Sequence, residues 1–150
     1  MLKIRKLKLD DSDKLNNLFT KLVVFERVFS SNIVENIQII GDYKNILKDD
    51  KSLIMVAEID NDLVGFIYIY EKVLDEIFIN KEAFIEAMYV NEEYQNQGIG
   101  KKLFNECLKW SKKRNIKIID IDVMCYNKNA IKAYEKYGFR EIKKGMRFKI

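Results

Sequence analysis

Apolar residues recur along this chain with two periods, and the places where the period changes divide it into elements. Leu2, Ile4, Leu7 and Leu9 alternate with Lys3, Arg5, Lys6 and Lys8, with one slip, and predict a strand over Leu2–Leu9. The acidic cluster Asp10–Asp13 suits a helix start. Leu15, Leu18, Phe19, Leu22 and Phe29 then recur at helical spacing, predicting a helix over 12–28. Ser30-Ser31-Asn32 interrupts the pattern. Ile33, Ile37 and Ile40 predict a second short helix ending at Gly41, and Tyr43, Ile46 and Leu47 a further turn or two. Ser52–Ile59 and Leu63–Val73 read as two strands joined by the turn Asp60-Asn61-Asp62, a hairpin, with Gly65 marking a bulge. Residues 74–81 carry no clear pattern.

The second half is more regular. Glu82–Val90 is a strand and Ile99–Lys113 a helix with Leu103, Phe104, Cys107, Leu108 and Ser111 inward. Ile116–Cys125 alternates as a strand. Asn127–Tyr137 is a helix with Ala130, Ile131, Tyr134 and Tyr137 on one face, stopped by Gly138. Phe139–Lys143, a Lys144-Gly145 turn and Met146–Ile150 predict a closing hairpin. The order β-α-α-β-β-β-α-β-α-β-β implies one parallel crossover, over residues 82–125, among hairpins. The expected fold is α/β (α+β): a mixed, mostly antiparallel sheet of six to seven strands with helices on both faces.

Composition narrows the chemistry. A length of 150 residues suits a single domain, 1–150, and 48% apolar with 33% charged residues suits an ordinary soluble protein. No apolar run approaches the roughly 20 residues that span a bilayer, and the N-terminus lacks a signal-peptide core, so a cytoplasmic protein without a membrane partner is expected. There is no histidine. Ser-His-Asp triads, Cys-His pairs and His-rich zinc sites are therefore excluded, and no metal is expected. Cys107 and Cys125 lie in apolar patterns and read as two buried thiols with no disulfide between them. The net charge of +4 is spread among paired charges, which gives no reason to invoke nucleic acid.

Between the strand ending at Val90 and the helix beginning at Ile99 stands Gln95-Asn96-Gln97-Gly98-Ile99-Gly100. Glycines let the backbone approach an anion, and the first amides of a helix have no internal acceptor. The spacing fits neither the dinucleotide-binding fingerprint nor the Walker loop, since no Lys-Ser or Lys-Thr follows.

In this context the chain resembles a GNAT-superfamily N-acetyltransferase. The loop matches the family's acetyl-CoA pattern Gln/Arg-x-x-Gly-x-Gly/Ala. A second signature, Asn-x-x-Ala-x-x-x-Tyr-x-x-x-Gly-Phe, is matched by Asn127, Ala130, Tyr134, Gly138 and Phe139. The resemblance implies a splayed central strand pair, residues 86–90 parting from 116–125, with acetyl-CoA between. Its pyrophosphate would lie on the amides of Gln95, Asn96, Gln97, Gly98, Ile99, Gly100 and Lys101, side chains at Gly98 and Gly100 would push the phosphates away, and Lys101 and Lys102 would add charge at the mouth. Its pantetheine would pair with the strand at Met88, Tyr89 and Val90 and bond Asn127, which can also cap its helix.

The resemblance further implies transfer of acetyl to a primary amine by direct attack in a ternary complex, with Tyr134 as the acid that protonates the departing thiolate. For the base, Glu86 lies in an apolar strand, where partial burial would raise its pKa; Glu82 and water are the alternatives. The acceptor is expected to be a small molecule or a peptide amine, its specificity set by the segment Phe25–Leu47, the strand around Tyr68 and Tyr70 and the final hairpin; most of the aromatics there (Phe25, Phe29, Tyr43, Phe66, Tyr68, Tyr70) read as core, and those facing the cleft would favour an apolar or cationic acceptor. The resemblance also allows a homodimer. Two departures stand out: Gln95 replaces the commoner Arg, and Ala87 stands where many relatives carry an acid, which weighs against a polyamine. An acetyl-CoA-binding sensor or interaction module without turnover is the rival reading.

Overall fold

The computed structural model describes residues 1–150. Five strands form one sheet in the order β1 (Lys3–Lys6), β2 (Ser52–Ile59), β3 (Asp62–Glu71), β4 (Lys81–Val90) and β5 (Ile116–Ile121). The first four pair antiparallel; β4 and β5 pair parallel. Helices α1 (Ser12–Glu26) and α2 (Tyr43–Lys48) precede β2, α3 (Ile99–Lys113) crosses from β4 to β5, and α4 (Lys128–Tyr137) follows β5.

Two apolar clusters cover the two faces of the sheet. On one, Leu103, Phe104 and Cys107 of α3 pack on Met55, Ile67, Ile69, Ala83 and Ile85. On the other, Leu15, Leu18 and Tyr43 of α1 and α2 pack on Ile54, Val56, Phe66 and Ala87. Alternation along β2 and β3 feeds both clusters, so these strands are apolar almost throughout, as a sheet covered on both faces requires. The β2–β3 turn places Asp60 and Asn61 at φ 50° and 68°, the left-handed pair that matches strand twist in a tight hairpin. The bulge expected at Gly65 falls beside it: Ala57 faces Gly65 while Glu58 faces Leu63, leaving Val64 as the extra residue.

The structure corrects the sequence reading at three places. Residues 33–41 form no helix. Their β-branched run (Ile33, Val34, Ile37, Ile39, Ile40) disfavours one, and the segment is instead tied to α1, the Ile39 amide donating to Thr20 Oγ1 and the Gly41 amide to Asn16 Oδ1, each at 2.9 Å. The first and fifth strands are shorter than the alternation suggested. The closing hairpin is absent, so the sheet has five strands and not six to seven. After Phe139 no residue joins a strand, no backbone hydrogen bond forms, and residues 140–150 are all exposed. A two-stranded hairpin is marginal unless a third strand or a helix supports it, and this segment has neither.

No helix is long and apolar enough to cross a membrane.

Candidate active site

The loop after β4 presents free amides. A 3-10 turn at Glu92–Tyr94 leads into it, and Gln95 Nε2 donates back to the Val90 carbonyl at 2.8 Å. Gln97 Nε2 donates to the Glu93 carbonyl at 3.0 Å. These side chains fix the loop, so Gln95 is a strap here, and the Val90 carbonyl is held by it. Asn96 and Gly98 take positive φ, 58° and 79°. From Asn96 to Lys101 no amide donates within the protein; the first helical bond is Lys102 N–H to the Gly98 carbonyl. Six successive unpartnered amides, three at a helix start, make a concave positive site suited to a phosphate ester.

Each of the two glycines also has a role within the fold itself. Gly98 faces open space and is needed for its left-handed φ. At Gly100 a Cβ would come within 2.7 Å of the Tyr137 hydroxyl and 3.0 Å of Met88 Cε. Gly100 thus lets α3 close on α4 and β4. Lys101 does not project into the mouth: its Nζ lies 5.1 Å from the Tyr137 ring centroid and 5.3 Å from that of Phe104.

The parallel pairing of β4 with β5 ends at Ile85 opposite Ile121, although β4 continues to Val90. The rest of β4, including Met88, Tyr89 and Val90, has no partner on that side. The cause lies at one residue. Across β3, Tyr68 faces Ala87 and Ile69 faces Ile85, so Glu86 is the extra residue of a bulge. A bulge bends its strand and reverses which residues face which side. Ala83 and Ile85 point to the α3 cluster, whereas Ala87, two residues on, points to the α1 cluster. Glu86 itself is exposed, not partly buried as the apolar strand suggested.

Beyond the gap, Asn127 caps α4, its Oδ1 accepting the Ala130 amide at 3.2 Å, which leaves its Nδ2 free to donate. Tyr134 is half-buried, set edge-on to Phe139 at 6.0 Å and near Tyr137 at 6.4 Å. Loss of solvent pushes its phenol up to about 12, with smaller contributions from Tyr137 and Glu26. It is therefore fully protonated at neutral pH. The influence of Glu26 is informative, because Glu26 ends α1 on the opposite face of the sheet from α3. Glu26 is half-buried, has no ion-pair partner, and its carboxyl is raised by desolvation. The sequence reading missed it; it sat in the predicted helix as an ordinary polar residue, and only the packing of α1 brings it toward Tyr134.

Glu82 is committed elsewhere. Lys72 Nζ lies 2.8 Å from its carboxylate and 3.9 Å from that of Asp120. Of the aromatics, Phe66 and Tyr43 are core, while Phe25 is exposed and pairs edge-on with Phe29 at 5.5 Å. Tyr68 and Tyr70 are half-buried, with ring centroids 6.0 Å apart and Phe84 5.9 Å from Tyr70. Desolvation raises both phenols, and the Glu86 charge adds to the effect, which puts this aromatic wall beside the bulge.

Comparison with known proteins agrees with this geometry. The model of the acetyltransferase (GNAT) family matches residues 20–139. An uncharacterized N-acetyltransferase of Methanocaldococcus jannaschii is 30% identical over 99 residues, 66% of this chain but only 44% of that protein, so the chain spans less than half of its relative's length. A mutant of the BH1408 protein of Bacillus halodurans superposes with a TM-score of 0.86 at 21% identity, covering 99% of both chains. Aminoglycoside N-acetyltransferase AAC(6')-Iy, solved in complex with CoA, superposes with a TM-score of 0.77 at 17% identity over 99% of this chain and 98% of that one. Free amides on a glycine loop, a strand parting from its parallel neighbour, and a protonated tyrosine beyond the gap are thus joined by a family match over most of the sequence: the chain belongs to the acetyltransferase (GNAT) family.

Proposed function

We propose that this chain is a single-domain N-acetyltransferase that moves the acetyl group of acetyl-CoA to a primary amine by direct attack in a ternary complex. The observation that carries the reading is the gap opened where β4 parts from β5 at the Glu86 bulge, followed in the chain by six free amides. The amides of Asn96 to Lys101 suit the pyrophosphate. The open edge at Met88 and Tyr89 and the free Nδ2 of Asn127 suit the amide groups of pantetheine. Acetyl-CoA supplies an activated thioester; the protein supplies orientation and proton transfer.

An amine is mostly protonated at neutral pH and must lose a proton before it attacks. Glu86, exposed at the bulge, takes that proton directly or through water, and Tyr134 gives one to the departing CoA sulfur. The lone pair of the neutral amine forms the new C–N bond as the C–S bond breaks, and the second proton of that nitrogen then returns to the Tyr134 oxygen, so the net result is one proton released through the base per turnover. Glu82 is the poorer base because Lys72 already holds it. Glu26 is a second candidate, favoured by its raised carboxyl and its influence on Tyr134. That a structural neighbour acts on aminoglycosides supports an amine acceptor, small molecule or peptide, without naming this one.

The test is release of CoA thiol over a panel of amines. Tyr134→Phe should lower kcat by about 100-fold or more while leaving CoA affinity within a few-fold, as expected for loss of a general acid. An unchanged kcat removes Tyr134 from the mechanism. Glu86→Gln and Glu26→Gln separate the bases: the true one abolishes the rise of kcat/KM with pH, and the other leaves it in place.

A further inference from the structure

The pattern Asn-x-x-Ala-x-x-x-Tyr-x-x-x-Gly-Phe leaves position 137 open, and this chain fills it with a second tyrosine. Tyr137 follows Tyr134 on the same face of α4, with ring centroids 6.4 Å apart, and has no part in the proton transfers described above. Its ring is nevertheless held in place. Phe104 stacks on it at 5.6 Å and 13°, and Lys101 Nζ stands 5.1 Å from its centroid. A ring fixed in this way also fixes the position of its hydroxyl.

That hydroxyl lies at the start of α3. A Cβ built on Gly100 would stand 2.7 Å from it. In a helix every Cα–Cβ bond tilts toward the N-terminus, so the hydroxyl sits on the side where the amides of Ile99, Gly100 and Lys101 end without acceptors. The same point is 3.0 Å from Met88 Cε, and Met88 belongs to the stretch of β4 that has no partner toward β5. The hydroxyl thus marks the corner where the row of free amides meets the open strand edge. It is also free to act there. Asn127 and Arg140, at the two ends of α4, make side-chain hydrogen bonds, whereas Tyr137 makes none. Unlike the hydroxyls of Tyr43 and Ser111, it is not sealed from solvent. Desolvation raises its phenol, so it is protonated at neutral pH and can donate.

Resting on the acetyl-CoA reading above, we propose that the Tyr137 hydroxyl is a side-chain donor to the diphosphate of CoA, bonded to the phosphate on the pantetheine side, where the cofactor turns from the amide row into the strand gap. A phosphate oxygen accepts more than one hydrogen bond, so this donor adds to the backbone amides and does not compete with them. The position beside Gly100, within the amide row, assigns Tyr137 to the phosphate and leaves the pantetheine amides to the β4 edge and Asn127. Because Phe104 and Lys101 already hold the ring, no side chain has to be ordered when the cofactor arrives.

Titration of CoA, phosphopantetheine and pantetheine into wild type and Tyr137→Phe tests the assignment, with binding read by calorimetry for CoA and by nuclear magnetic resonance for the two shorter probes. Phenylalanine keeps the ring and its stacking, so circular dichroism should show the fold intact. Affinity for CoA and for phosphopantetheine should fall about ten-fold or more in the variant, the size of one hydrogen bond to a charged group. Affinity for pantetheine, which has no phosphate, should not change. The phosphorus resonance of the pantetheine-side phosphate in bound CoA should also move between the two proteins. A wild type that does not bind CoA overturns the acetyl-CoA reading and this proposal with it. Equal affinity of the two proteins for CoA overturns this proposal alone, and so does an equal loss for pantetheine, which would make Tyr137 a packing residue.

Discussion

Gly100→Ala isolates a contact that the loop motif alone does not reveal. The new methyl would sit 2.7 Å from the Tyr137 hydroxyl and 3.0 Å from Met88 Cε. Met88 can swing its terminal methyl away. Tyr137 cannot retreat so easily, because its ring stacks on Phe104 at 5.6 Å and 13° and carries the Lys101 ammonium 5.1 Å from its centroid. Overpacking of this kind costs about 1–3 kcal/mol. Replacing glycine by alanine in a helix returns up to about 1 kcal/mol, less in the first turn. The single variant should therefore range from near neutral to about 3 kcal/mol less stable. In a Tyr137→Phe background the obstructing oxygen is gone, and the same Gly100→Ala should become neutral or stabilising. The coupling between the two sites, read from urea midpoints of the four proteins, should be about 1–3 kcal/mol. Gly98→Ala is the control. It meets no atom but must hold φ near 79°, a cost of about 1–2 kcal/mol that Tyr137→Phe cannot relieve. Additive effects of Gly100→Ala and Tyr137→Phe would refute the packing argument and return Gly100 to a role at the phosphate.

Three further outcomes follow from charge and burial. Asp11 is buried and receives two hydrogen bonds from Arg5, at 2.7 and 2.9 Å, which hold its carboxyl below the usual range, so Asp11→Ala should cost about 1.5–3 kcal/mol in denaturant titrations at neutral pH. Because its folded pKa is depressed, that contribution is complete above about pH 4 and is lost as pH falls through the folded value, so the gap between wild type and variant should close in acid. Cys107 is fully buried and its thiol is raised to about 12, whereas Cys125 is exposed; a thiol reagent at pH 8 should titrate one thiol in the native protein and two after unfolding. Tyr43, Tyr134 and Cys107 all have raised folded values of about 12, so their contribution to stability is intact below their unfolded pKa values, about 8.5–10, and is lost as pH rises through the folded ones; thermal unfolding should shift downward from about pH 9 upward.

Where one residue's neighbours in sequence decide its fate, the sequence was a sufficient guide. The β2–β3 hairpin, α3 and α4 follow from local period and end signals, and so does the Asn127 cap. The free amides of the loop before α3 were legible because the lack of internal acceptors at a helix start is a local property. What escaped depended on long-range packing. The helix expected at 33–41 lost to side chains of α1, which offered its backbone other partners. Glu86 drew notice as an acid in an apolar strand, but its meaning changed: it is exposed, and it opens the gap by being one residue too many across β3. Gly100 drew notice for the loop motif, and its packing role was out of sight, since the atom it avoids belongs to a helix that begins almost thirty residues later. Glu26 was invisible because nothing in a helix's own pattern says which far element its last turn will face. The last strands show the same limit most sharply. The alternation at Met146, Phe148 and Ile150 is real, and it states that the segment has a face to bury. It cannot state against what. Within one chain that face stays in water, because a hairpin with neither a third strand nor a helix against it is marginal however regular its alternation.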